Sequence, residues 1–271
     1  MLTANVPAPR FKLSTFADAS AKLRKAGTEN GRPIVAAVLH LAPANLSGHE
    51  VCGGRTKGCT AGCLNSAGRG GIGATFTDAG QLVTANAIQS ARIRRTRELF
   101  TDQAGFMARL VADLEKLVAH ARKVDGVPAF RPNGTSDLDW SVIPCVRNGR
   151  QFANMFNAFP EIRFWDYTKI RARIGQYFAG ALPDNYAITF SRAETLANKV
   201  AAMDALRGGL NVAVVFSTKK GERLPDVWNG HVVIDGDVTD FRFTDPKGGY
   251  VVGLRSKGKA KRDTSGFVVP V

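Results

Sequence analysis

Three of the chain's four cysteines, Cys52, Cys59 and Cys63, lie within twelve positions in CGGRTKGCTAGCLNSAGRGG, residues 52–71. A disulfide takes two thiols, whereas a metal or an iron–sulfur cluster can take three and leave a coordination position open. The spacing is C-x6-C-x3-C. A four-iron, four-sulfur cluster on Cys52, Cys59 and Cys63 is the preferred occupant, since three thiolates suffice when one iron stays open. Zinc is the alternative, with His49 completing a tetrahedral set. Gly58, Gly62 and Gly68 would let the loop wrap closely and aim amides at cluster sulfurs or at an anionic ligand. Cys145, in VIPCV, reads as a core residue rather than as a fourth ligand.

Three other stretches offer polar groups that could hold a cofactor. RPNGTSDLDW carries Asn133 and Asp137, FWDYTK carries Asp166 and Lys169, and ITFSRAE carries Ser191 and Arg192. Arginine forks and carboxylates of this kind suit a carboxylate, a ribose or a phosphate. Turns and helix caps use the same residues, and Ser191 with Glu194 matches a capping box. The aspartates of VIDGDVTDFRFTDP lack the glutamate that completes a calcium loop, so they read as turn residues. Trp140, Trp165 and Trp228 could stack on bases but more commonly fill cores.

Thirty-seven Lys and Arg against 23 Asp and Glu leave a formal charge of +14 over 271 residues. That imbalance favours polyanions, nucleic acid above all. The basic clusters are RIRRTR at 92–97, which suits a solvated helix face, and RSKGKAKR at 255–262, which suits phosphate contacts. With 44% hydrophobic and 22% charged residues a folded core is expected. No apolar run reaches the roughly 20 residues of a membrane span, and no signal peptide is evident, so a cytoplasmic protein without a membrane partner is expected. Reducing conditions there argue against a disulfide framework.

The elements that must position these residues alternate. RPIVAAVLHLAP, residues 32–43, reads as a buried strand, and the cysteine loop follows it directly. Residues 75–100 and 101–124 read as two helices; in the second, Phe106, Leu110, Leu114, Leu117 and Ala121 recur at helical spacing behind a cap at Thr101 or Asp102. From residue 127, strand-like runs alternate with helix-like segments, giving about five βα units. The expected fold is α/β, an irregular or incomplete βα barrel-like parallel sheet with a C-terminal β-rich appendage. The whole chain, 1–271, is read as one domain: an arm at 1–30, a core at 31–216 and a closing segment at 217–271.

A cysteine loop between the first clear strand and the first long helix is similar in architecture to the radical S-adenosylmethionine enzymes, although the spacing is wider than their usual C-x3-C-x2-C. The similarity implies S-adenosylmethionine at an open iron, in a pocket lined by Asn133, Asp137, Asp166, Lys169, Ser191 and Arg192, with radical chemistry on nucleic acid or a nucleotide. The ordered string GCTAGCLNSAGRGG, RPNGTSDLDW, FWDYTK, ITFSRAE and the segment from VVIDGDVTDF onward resembles the actinobacteriophage gene product 88-like family. That resemblance covers residue 30 or so to the end, and Cys52, Cys59, Cys63, Gly68 and Arg69 match its cysteine–glycine motif. It implies a phage or prophage origin and one continuous unit, not an activity. The second functional expectation is a nucleic-acid-binding protein whose cluster or zinc is structural.

Overall fold

Short apolar runs closed by polar residues form one large sheet, and the segments between them form its helices. The computed structural model describes residues 11–16 and 27–271. Most of the expected arm therefore lies outside the described residues. The strands are β1 (Thr15–Phe16), β2 (Thr28–Glu29), β3 (Arg32–Val38), β4 (Thr75–Phe76), β5 (Leu82–Thr84), β6 (Val127–Arg131) and β7 (Cys145–Arg147). They continue with β8 (Arg150–Phe152), β9 (Arg163–Thr168), β10 (Tyr186–Ser191), β11 (Val212–Phe216), β12 (Val227–Trp228), β13 (His231–Asp235) and β14 (Val251–Arg255). The helices are α1 (Lys57–Ala61), α2 (Ala87–Thr101), α3 (Gln103–Lys123), α4 (Met155–Ala158), α5 (Arg171–Phe178) and α6 (Leu196–Arg207).

Ten strands share the main sheet, in the order β1-β3-β6-β9-β10-β11-β14-β13-β12 with β2 also on β3. From β3 to β13 every pairing is parallel, and β1, β2 and β12 are antiparallel at the edges. Helices occupy each crossover from β3 through β11, as the alternation in the sequence requires. The protein is thus a mixed α/β fold built on a large, mostly parallel sheet. Among the described residues the path ends on β1 and β12 and does not close, so no closed barrel is formed. The C-terminal segment is also no appendage: β14 lies between β11 and β13 inside the sheet. Its run VVGLR begins with three buried residues, the signature of a strand covered on both faces.

Alternate residues of the strands serve two cores. Val35, Phe130, Phe164, Ile188, Phe190 and Val214 join Leu110, Leu114 and Leu117 of α3 in the larger one. Ala36, Val38, Ala129 and Trp165 face the opposite side, where Phe241 covers them. All five residues of the predicted α3 stripe are fully buried, each leucine contributing about 1.5–3 kcal/mol. Asp102 caps that helix, its carboxylate accepting from the Gly105 N–H at 2.9 Å. Residues 75–84, expected as helix, instead form the β4–β5 hairpin, because Gly80 takes a positive φ of 81° in the turn. The helix starts later, at Asn86, whose side chain accepts from the Gln89 N–H at 2.8 Å. Among the described residues no helix is long and apolar enough to cross a membrane.

Candidate nucleic-acid interface

Parallel strands deliver all their following loops to one edge of the sheet, the usual place for a ligand site. The cysteine loop leaves β3 there and meets the segment that follows β14, although the two strands stand five places apart in the sheet. Glu194, just past β10, clamps the loop by accepting from Thr56 Oγ1 at 2.6 Å and from the Gly58 N–H at 2.8 Å. The glycines do make a close approach, but to protein. A Cβ on Gly54 would stand 2.8 Å from the Lys169 backbone, and one on Gly58 would collide with Ser265 and Phe267. Asn65 and Gln89 lock the far end of the loop through a 3.0 Å amide–amide hydrogen bond.

Between the loop, the β4–β5 hairpin and residues 259–265 lies a cavity of about 930 Å³. Four cations line it: Arg55, Lys57, Lys259 and Arg262. Arg55 is paired with Glu50 at 2.9 Å. The Lys259 ammonium donates to the carbonyls of Phe76 and Thr77 at 3.2 and 2.5 Å, tying the hairpin to the C-terminal segment. Lys57 and Arg262 are exposed and have no side-chain partner among the described residues. Of the two acidic residues in the wall, Asp78 is exposed, and Asp263 is occupied by Ser265 and the Val268 N–H.

The family model for gene product 88 matches residues 13–270. The chain belongs to the gene product 88 family. No curated protein and no solved structure matches it.

In this gene product 88 protein Cys52, Cys59 and Cys63 all line the cavity. The iron–sulfur and metal-binding expectation is nevertheless overturned: among the described residues no three or more His, Cys, Asp or Glu side chains are grouped to hold a metal ion. The reason is visible at Cys52, which is committed to backbone. Its sulfur accepts from the Ala44 N–H at 3.3 Å and donates to the Thr135 carbonyl at 3.8 Å. Burial, with Cys63, Cys59 and Asp137 adding to it, pushes the Cys52 thiol up to about 12. Burial raises Cys63 as well, so both are neutral thiols at physiological pH. His49 stacks on Phe100 at 4.3 Å and does not line the cavity, and Cys145 is a core residue. With no ligand set among the described residues, the open-iron route to S-adenosylmethionine has no anchor.

The six residues expected to bind a cofactor line none of this cavity. Asn133 and Asp166 belong to a sealed network. The Asp166 carboxylate accepts from the Asn133 N–H and amide, both at 2.9 Å, and from the Tyr186 hydroxyl at 3.0 Å. Tyr186 in turn accepts from Arg173 at 2.8 Å, and Asn133 Oδ1 accepts from Trp140, Ser136 and Leu138. Burial raises Asp166 to about 6. Asp137 holds the Lys169 N–H at 2.8 Å, and the Lys169 ammonium donates to Ser191 Oγ at 2.7 Å. Arg192 donates to the carbonyls of Gly266 and Phe267 at 2.5 and 2.9 Å. The capping box is absent, since Thr195 caps α6. Trp140 and Trp165 are buried, Trp228 packs on the larger core, and Asp235, Asp240 and Asp245 pair with arginines.

Phe76, Asn45 and Gln81 also line the cavity and were missed in the sequence. The turn TDAG at 77–80 was the available signal for the hairpin that presents Phe76 and Gln81. RIRRTR is mainly structural: Arg92 donates to Asn65, Arg95 to the Leu13 carbonyl and Arg97 to the Ser47 carbonyl. In RSKGKAKR, Arg255 and Lys257 are held by Asp235 and Asp237, which leaves Lys259 and Arg262 to the cavity.

Proposed function

We propose that this protein binds nucleic acid through the cavity between the cysteine loop and residues 259–265. The observation that carries the reading is the pair Lys57 and Arg262, two cations in the cavity wall that no group among the described residues neutralises. Phosphates would complete them, releasing counterions. The neutral thiols of Cys52 and Cys63 put no negative charge into the same wall. A formal charge of +14 would steer a polyanion toward the protein as a whole.

The test is fluorescence anisotropy with labelled DNA and RNA oligonucleotides over a salt series. The double variant Lys57→Gln/Arg262→Gln should reduce the slope of log affinity against log salt by about 0.7–0.9 for each phosphate it leaves unneutralised. The pair Lys219→Gln/Lys220→Gln, exposed and outside the cavity, should change it far less. If the wild-type protein binds neither nucleic acid, or if both pairs weaken binding equally, the cavity is not the interface.

A further inference from the structure

We infer that the cavity takes a single-stranded segment, seating one unpaired nucleotide, and does not take a duplex; this rests on the nucleic-acid reading above. Shape is the first ground. Duplex DNA is read by an element that protrudes into a groove about 12 Å wide. Here the unpaired cations line a recess instead, and at about 930 Å³ it falls within the range of small-molecule sites, roughly 300–1,000 Å³. Phosphates fixed on the outside of a duplex cannot enter such a recess; a flexible strand can turn a nucleotide into it.

The wall chemistry is the second ground. Phe76, half-buried on β4, offers an aromatic face of the kind on which unstacked bases lie in single-strand sites. Asn45 and Gln81 are exposed cavity residues whose side-chain amides have no partner among the described residues. Such amides reach a Watson–Crick edge only when the base is unpaired. Charge divides the recess in the same sense. Asp78 stands beside Gln81 on the hairpin and would repel a phosphate, so the base faces the hairpin. Lys57 and Arg262, on α1 and the C-terminal segment, face the backbone phosphates. Lys259 links the two halves through its bonds to the Phe76 and Thr77 carbonyls.

The experiment compares a short single-stranded oligonucleotide with the blunt duplex of the same sequence, by anisotropy at fixed salt, for wild type, Phe76→Leu and Gln81→Ala. Circular dichroism and urea unfolding confirm that each variant is folded. The single strand should bind at least tenfold more tightly than the duplex. Phe76→Leu, which keeps an apolar side chain but removes the stacking face, should weaken the single strand roughly fivefold or more and leave the duplex unaffected. Equal affinity for strand and duplex, or a folded Phe76→Leu protein with wild-type affinity for the strand, overturns this inference while the nucleic-acid reading stands. Binding of neither form overturns both.

Discussion

Two polar constellations lie at the same edge of the sheet and differ in one respect. Around Asp166 the donors and acceptors meet one another: Asn133, Tyr186, Arg173 and Trp140 join in a single network that excludes solvent. In the cavity, Lys57, Arg262, Asn45 and Gln81 carry hydrogen-bonding capacity that nothing among the described residues uses. The network has the composition of an active site and works as a strut between β6, β9, β10 and α5. The cavity wall has the composition of ordinary surface, yet it holds the free valence that a ligand needs. Residue type alone does not separate such cases; satisfied against unsatisfied capacity does.

Breaking the strut should have the largest effect. Asn133→Ala leaves the Trp140 N–H, the Leu138 N–H and the Ser136 hydroxyl without their acceptor, while Asp166 keeps the Tyr186 hydroxyl, so the folded state should lose upwards of about 3 kcal/mol in urea unfolding. A loss under about 1 kcal/mol would mean the network is not structural. Next comes the pH dependence of two titrating groups, Asp166 in the network and the half-buried His40 just past β3. Burial, with Arg92, Arg131 and Arg95 close by, holds His40 down at about 3. The unfolded chain therefore takes up that proton first, and stability falls as pH drops from about 6.5 toward 3. Asp166, raised to about 6, acts oppositely: the folded state is protonated first, which adds stability as pH drops from about 6 toward 3.8. The His40 displacement is the larger, so the urea midpoint should fall on acidification. In His40→Gln that contribution is gone, so stability should fall less between about pH 6 and 4 than in the wild type; an unchanged slope would refute the assignment.

The clamp between the two regions should give an intermediate result. Glu194→Ala frees Thr56 and the Gly58 N–H, costing about 1–2 kcal/mol and weakening nucleic-acid binding as the loop loosens. Its hydrogen bonds hold Glu194 below the usual carboxylate range despite burial, so this contribution is present at neutral pH and is lost as pH falls from about 4.5 through the lowered value. Wild-type stability and affinity together would show that the loop is held by other means. The smallest effect on stability belongs to Lys57→Gln/Arg262→Gln, within about 0.5 kcal/mol of wild type, while affinity changes. A large loss of stability there would show that these cations are structural after all and would collapse the contrast between the regions.

The strands and the longer helix were legible because their signal is local. The stripe from Phe106 to Ala121 and the apolar runs of β3, β6, β9, β10 and β11 repeat with the period of their own backbone. The β4–β5 hairpin was hidden by flanking residues of good helical propensity, and its turn at Gly80 was the cue that decided otherwise. The place of β14 was hidden because pairing order is a long-range property; nothing in VVGLR says that its neighbours are β11 and β13. The cysteine cluster misled for a related reason. Proximity in sequence put three thiols in one wall, but whether they converge depends on where each side chain turns, and Cys52 turns to the backbone of Ala44 and Thr135.

Period, composition and motif order are enough to specify an α/β chain with a parallel sheet, a strong basic excess, a glycine-rich loop at the end of the first long strand and membership of the family. They are not enough to specify that the sheet stays open, that the polar strand ends bond mainly to one another, or that the cysteine loop meets the basic segment from across the sheet; those follow only from the folded chain. Hydrophobic periodicity is written in neighbouring residues. The satisfaction of a hydrogen bond depends on partners a hundred or more positions away, as Glu194 shows in reaching back to Thr56, and only folding brings them together.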